Sequence, residues 1–167
     1  MTGRRGMDGF VGRLNPDMCV VTAVADGRRA GCLVGFASQC SISPLRFVVW
    51  LSKANRTFHV AERADRLAVH LLDRDQHALA ELFGGRTGDD GVDKFAHVAC
   101  TAVQDGAAVV LDDAPAWFVG RVVARTDGGD HVGFVLDPVA TGGRGGADGP
   151  LLRLADAVDI EPGHPAD

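Results

Sequence analysis

The chain has 167 residues and a formal net charge of −5, with 46% hydrophobic and 23% charged residues, an ordinary balance for a single globular domain. A chain of about 150 residues buries roughly 70% of its unfolded surface, so a core forms without disulfide or metal staples. The negative balance argues against a nucleic-acid partner or an anionic membrane surface. No apolar run approaches the roughly 18 residues of a membrane span, and Met1–Asp8 is basic and polar rather than a leader, so a cytoplasmic protein with no membrane partner is expected.

In chain order, Met7–Leu14 reads as a short helix ahead of Asn15-Pro16, and residues 1–14 as an N-terminal helix or arm. Cys19–Ala25 is β-branched and strand-like, Asp26-Gly27 is a hairpin signal, and Arg28–Val34 is the returning strand. Phe36–Ile42 continues as a strand punctuated by Pro44. Arg46–Ser52 is apolar on both faces and is expected at the centre of a sheet. Asn55–Arg63 reads as a helix capped by Asn55, Leu67–Leu72 as a strand, and Asp75–Phe83 as an amphipathic helix capped by Asp75.

A Gly/Asp loop follows at residues 84–92, then strands at Val98–Val103, Ala116–Arg125 and His131–Val139. Thr141–Pro150 is glycine-rich and reads as a mobile loop, Leu151–Ile160 as a last strand, and residues 161–167 as a disordered tail. Many short strands with two helices midway imply a mainly β fold, a closed antiparallel barrel with added helices over residues 15–160.

Several motifs exclude chemistry. The cysteines at 19, 32, 40 and 100 form no C-x-x-C pair and read as buried free thiols. The six histidines offer no H-E-x-x-H spacing, so no metal is expected, and no serine sits in G-x-S-x-G. Gly142–Gly146 lacks the Gly-Lys-Ser/Thr ending of a phosphate loop.

The run Gly31–Thr57 points to a ligand. It holds a small-polar string, Ser38-Gln39-Cys40-Ser41, then one apolar strand, then Lys53-Ala54-Asn55-Arg56-Thr57. Two hydrogen-bonding clusters held apart by a strand suit a long ligand with a polar ring edge and an anionic tail. Lys53, Asn55, Arg56 and Thr57 read either as a phosphate site at a helix start or as a solvated, capped turn. His131, after Gly129-Asp130, reads either as a surface cross-strand residue or as a group at a pocket mouth. Asp93-Lys94-Phe95 reads as a cap or a lid.

Taken in order, these pieces resemble the flavin reductase-like family of FMN-binding split barrels. The resemblance runs from about Pro16 to Val139, through Val20-Val21-Thr22, Asp26-Gly27, Gly31 to Pro44, Asn55-Arg56-Thr57, Asp93-Lys94-Phe95 and Gly129-Asp130-His131. Leu33 and Gly35 stand where the family often has Thr and Asn, Gln39 where it has Ser, Leu45 where it has Pro, and His70 where it has Asn.

The resemblance implies a Greek-key-like split barrel and a homodimer with flavin at the subunit interface. It implies hydride transfer from NADH or NADPH to FMN, with FAD as an alternative flavin, and release of reduced flavin to a monooxygenase partner. By position, Ser38, Gln39, Cys40 and Ser41 become ring and ribityl contacts, with Gly35 allowing close backbone approach. Lys53, Asn55, Arg56 and Thr57 become phosphate contacts, and His131 the active-site histidine. The alternative is a non-catalytic split barrel that binds a flavin or a haem-like ligand.

Overall fold

The computed structural model describes residues 2–85, 93–145 and 149–160. Expectations for Asp89-Asp90, for Gly146 and for the tail 161–167 lie outside the described residues. Among the described residues, three α-helices, α1 (Thr2–Val11), α2 (Arg56–Ala61) and α3 (His77–Gly85), accompany nine strands. These are β1 (Cys19–Ala25), β2 (Arg28–Val34), β3 (Ala37–Ser41), β4 (Arg46–Ser52), β5 (Arg66–Leu71), β6 (Cys100–Val103), β7 (Ala108–Leu111), β8 (Trp117–Asp127) and β9 (His131–Gly142).

Seven strands form one antiparallel sheet in the order β2-β1-β5-β8-β9-β4-β3, and β6 and β7 form a separate hairpin. The first and last strands of that order, β2 and β3, are joined only by Gly35-Phe36. Three Cα steps span at most about 11 Å. The sheet therefore rolls until its two ends meet, which makes the expected barrel. Inside it pack Val21 and Ala23 of β1, Cys32 and Val34 of β2, Val49 and Leu51 of β4, Leu67 and Val69 of β5, and Phe134 and Leu136 of β9, with Phe58 of α2.

Three strands match their expected bounds, and the hairpin turn shows why the first pair does. Asp26 (φ 52°) and Gly27 (φ 73°) both adopt the left-handed conformation that a two-residue turn of this twist requires. The expectation for β4 needs correction. It is paired on both sides, to β3 and β9, but lies next to the end of the sheet. Its doubly apolar pattern arises because the Trp50 side chain, on the outward side, packs against Gly133 of the paired strand β9 and against Gly128.

A second core lies outside the barrel. Val20 of β1, Phe83 of α3, Phe95, and Val109 and Leu111 of β7 pack there with Leu152. Strand β7, absent from the sequence reading, is four buried apolar residues following a turn with positive φ at Gln104, Asp105 and Gly106. Helix α3 starts two residues later than expected, at His77. Gly31 admits its Phe83, since a Cβ there would sit 2.7 Å from the ring.

Two further expectations fail. Leu151–Ile160 makes isolated bridges, Asp73 with Leu151 and Asp17 with Arg153, and a short 3-10 turn at Leu154–Asp156, rather than a strand. Residues 141–145 are not a free loop. Strand β9 runs to Gly142, which lies flat against Trp117, and Arg144 donates its backbone N–H to Ala114 O and ion-pairs with Asp73.

The thiols also divide. Cys19 and Cys32 are buried and their pKa values are pushed up by desolvation to about 12 and about 11, whereas Cys40 is exposed and Cys100 half-buried.

Polar side chains pin the outer core. Thr22 Oγ1 donates to Val109 O at 2.7 Å. Buried Lys94 donates to Gly31 O and Phe83 O, both at 3.0 Å, and burial lowers its pKa. Asp93 caps this turn by accepting from Phe95 N, so the Asp93-Lys94-Phe95 motif is a cap and clamp. His70 is fully buried between β1 and β7. Its Nδ1 lies 2.9 Å from Val20 O, and Leu111 N donates to its Nε2 at 3.0 Å. A carbonyl accepts and an amide donates, so the ring is the neutral Nδ1–H tautomer.

Desolvation pushes the His70 pKa down to about 4. Between the ordinary value of about 6.5 and 4, the unfolded chain binds a proton that the folded chain refuses, so stability falls as pH falls through that window. Between pH 7.5 and 5.0 the expected loss is about 2 kcal/mol. A His70→Asn variant should lack this increment when urea midpoints are compared at the two pH values. Equal losses in both proteins would show that His70 does not carry the effect.

Candidate active site

The end of β4 is the meeting point of the candidate residues. Ser52 pairs with His131 at the start of β9, and Lys53 N donates to Asp130 O at 2.9 Å. Lys53 Nζ reaches Asp127 Oδ2 at 2.9 Å, which holds the Asp127 carboxyl below its usual range. His131 Nδ1 lies 2.7 Å from Asp130 Oδ1, and its ring stands 5.1 Å from the ring of Phe36. His131, Lys53 and the Gly35-Phe36 link are thereby gathered at one end of the barrel.

Directly paired residues share a sheet face. Ser38 pairs with Val48, Val48 with Val135, and Trp50 with Gly133, so Ser38, Trp50 and His131 lie on one outward face. The Trp50 indole lies flat over Gly128 and Gly133; a Cβ at Gly133 would sit 2.9 Å from it. Phe36, Trp50 and His131 together form a shelf of flat rings, and Phe36 is 58% exposed. Such a shelf can receive a planar heteroaromatic ligand through stacking and edge contacts.

The small-polar string runs away from this shelf. At about 3.3 Å per residue, Ser38 stands roughly 13 Å and Ser41 roughly 20 Å along the strands from the Ser52–His131 pair. Ser38, Gln39 and Cys40 are exposed and Ser41 is half-buried. The Gln39 amide donates to Ser41 O at 3.1 Å, across the bulge that follows it. Gly35 faces Met18, whose sulfur would be 3.2 Å from a Cβ there, so no larger side chain fits without displacing Met18.

The phosphate candidates separate into two kinds. Asn55 and Thr57 are occupied internally. Asn55 Oδ1 accepts from Thr57 N at 2.9 Å as the helix cap, and Thr57 is 1% exposed with its hydroxyl hydrogen-bonded to Cys32. Lys53 and Arg56 carry charge at the surface.

Arg56 lines a cleft of about 640 Å³ together with Ala25, Asp26, Arg28, His59, Val60 and Arg63. Arg63 pairs with Asp26 through its Nε, which holds the Asp26 carboxyl below its usual range and raises the Arg63 pKa. His59 lies 3.9 Å from Glu62. This donor set, three guanidinium groups with one carboxylate in the lining, fits an anionic group such as a flavin phosphate. Among the described residues, no group of His, Cys, Asp and Glu is arranged to hold a metal ion.

Sequence reasoning missed Arg28, His59 and Arg63, as well as Phe36 and Trp50. Arg56, His59, Val60 and Arg63 recur at helical spacing, a signal that was available. Arg28 joins them only because the β1–β2 turn folds beside α2, and Trp50 is indistinguishable from core within an apolar strand.

The sequence matches the flavin reductase-like domain over residues 11–159. The chain belongs to that family. It is 34% identical over 132 residues to FMN reductase (NADH) RutF 2 of Rhizobium rhizogenes, covering 77% of this chain and 72% of that protein. The fold is that of the flavin reductase domain protein of an Arthrobacter species, with a TM-score of 0.79, 19% identity and 98% of each chain covered. It is also that of nitrilotriacetate monooxygenase component B from Mycobacterium thermoresistibile, with a TM-score of 0.72, 21% identity, and 84% of this chain and 76% of that one covered.

Several departures from the family pattern have structural explanations. Leu33 packs into the outer core, Gly35 accommodates Met18, and His70 bridges Val20 and Leu111. All three positions answer to packing on the barrel wall.

Gly133→Val should displace the Trp50 indole from β9. In a Trp117→Phe background, which leaves Trp50 as the reporter, its fluorescence should shift to the red; an unmoved spectrum would mean the indole does not rest on Gly133.

Proposed function

We propose that this protein is an NAD(P)H-dependent flavin reductase that binds FMN, or FAD in its place, across the ring shelf and the Arg56 cleft. The observation that carries this reading is a flat aromatic and imidazole surface at the end of β4, followed four residues beyond Ser52 by Arg56 and its cationic cleft. When bound, the flavin supplies the ring that accepts hydride from the nicotinamide. The protein supplies orientation and electrostatics.

In this reading Arg56 holds the phosphate, with Lys53 adding positive potential nearby. Asn55 and Thr57 shape the turn that presents Arg56, Asn55 by capping it and Thr57 by anchoring it to Cys32. Ser38 contacts the ring from the outward face, and Gly35, beside Phe36, lets the backbone approach it closely, while Gln39, Cys40 and Ser41 lie farther along β3 on the side away from Arg56. The Asp130 carboxylate accepts from His131 Nδ1–H and so leaves Nε2 as an acceptor. That nitrogen is suited to receive an amide N–H from the nicotinamide carboxamide.

We further propose a cytoplasmic homodimer that passes reduced flavin to a monooxygenase. Exposed apolar residues support an interface: Phe36, Ile42 and Leu45 around β3, and Met7, Phe10, Val11 and Leu14 on and just after α1. Single exposed apolar residues are unremarkable, but two groups of them support the reading of a contact surface.

The purified protein with FMN should oxidise NADH or NADPH under air; no stimulated oxidation with either would overturn the reductase reading. A yellow protein that neither nucleotide bleaches anaerobically would instead be the non-catalytic binder. Arg56→Ala should raise the Kd for FMN at least about tenfold, the worth of a charge-assisted hydrogen bond, and that for riboflavin by less than about twofold. Equal losses would remove Arg56 from the phosphate site. His131→Ala should slow anaerobic flavin reduction by about tenfold or more while flavin affinity holds; unchanged reduction would remove His131 from the reaction.

A further inference from the structure

We infer that the outward row of Arg46, Asp137, Arg121 and Arg66 is a docking site for an acidic segment of a partner protein. The sheet order sets β5, β8, β9 and β4 side by side, and the register carries one row across them. Arg66 pairs with Arg121, Arg121 pairs with Asp137, and Asp137 meets Arg46 one step beyond the Leu136–Phe47 pair. Leu67 and Leu136 point into the barrel, so their chain neighbours Arg66 and Asp137, and with them the whole row, face outward. The Ser52–His131 pair lies roughly 20 Å away along β4 and β9, so the row is separate from the ring shelf.

The row alternates in charge and then stops. Arg46 Nη1 donates to Asp137 Oδ1 at 2.8 Å, and Arg121 Nη2 donates to Asp137 Oδ2 at 3.1 Å. One carboxylate thus bridges the guanidinium groups on either side of it. No second carboxylate follows in the row. Arg121 and Arg66 stand directly opposite each other, and like charges so placed repel. Arg66 is half-buried, and its Nε is buried with no acceptor among the described residues. A desolvated guanidinium without a partner costs stability. The row is left two charges positive on a chain whose net charge is −5.

A carboxylate placed between Arg121 and Arg66 repeats the bridge that Asp137 makes, its plane meeting the two guanidinium forks. Val123 and Val139, two residues beyond Arg121 and Asp137 in their strands, are exposed and add apolar surface. Arginine beside apolar side chains is the composition of a protein contact rather than of a site for a free anion. The occupant is not a second copy. The unsatisfied end lies on β5 and β8, away from the exposed residues around β3, and a two-fold pairing of this end would set its guanidinium groups against their own copies.

The probe is a short labelled peptide of alternating Glu and Ala, titrated into the full chain at low ionic strength and followed by fluorescence anisotropy, with its Gln-for-Glu analogue as control. The Glu peptide should bind, the Gln analogue should not, and added salt should weaken the binding. Arg66→Met and Arg121→Met should each weaken it about tenfold, as loss of one charge-assisted contact does, with the FMN Kd within about twofold of the parent. Arg66→Met should also have a urea midpoint no lower than the parent's, because it deletes a charge that has no internal partner.

A Glu peptide that binds no better than the Gln analogue at millimolar concentration, or that binds both variants as it binds the parent, overturns the docking site. A lowered urea midpoint in Arg66→Met would show that the chain itself satisfies the guanidinium, and overturns it as well. Three further results overturn the partner assignment. Inorganic phosphate competing at the peptide's own concentration makes the row a small-anion site, a raised FMN Kd assigns it to the flavin site, and weakened self-association in sedimentation assigns it to a contact between copies.

Discussion

The two-residue link Gly35-Phe36 is the constraint on which the rest of the structure depends. It carries the chain from the first strand of the sheet to the last, so the sheet cannot lie open. Closure creates the barrel interior around Val21, Leu51, Phe134 and their neighbours, and it stations Phe36 beside His131, although 95 positions separate them in the chain. Glycine at 35 suits this path because a Cβ there would press on the Met18 sulfur at 3.2 Å. The same short crossing that closes the fold thus builds one wall of the site.

The barrel wall is thickened on one side only. There β1 is buried on both faces, inward by the barrel core and outward by α3, β7 and the Lys94 turn. Burying that second face strands polar groups. Thr22 and His70 satisfy backbone groups of β7 and β1, and Lys94 satisfies carbonyls of β2 and α3. Among the described residues, the opposite wall, made by β3, β4 and β9, carries no such layer, and it is where Ser38, Trp50 and His131 face outward. Stability and ligand surface are therefore divided between two sides of one sheet.

Much of this organisation was legible in the chain. Alternation and turn chemistry located β1, β2 and β4 to the residue, because Asp26-Gly27 demands a particular turn and Pro44 ends a strand by its geometry. Asn55 announced its helix because a side-chain acceptor before an apolar run is a local signal. Strand β7 was not legible. Its four residues follow a left-handed turn and owe their strand state to packing against β1 and β5. The last strand anticipated at Leu151–Ile160 failed for the converse reason, since its apolar residues fill the outer core without a strand partner beyond single bridges.

By itself, the sequence determined the mainly β class, the hairpins, the capped helix after β4 and the family, because these rest on local turn geometry and on ordered short motifs. Tertiary structure decided which polar residues remain available for chemistry. Thr57 and Asn55 look like ligand contacts in the chain, yet their hydrogen bonds go to Cys32 and to the helix itself. Arg28 and Arg63 look like ordinary surface charges, yet they converge on Arg56 across a shared cleft. The physical reason is that a side chain's chemistry depends on what already satisfies it. That accounting is made across strands and helices far apart in the chain.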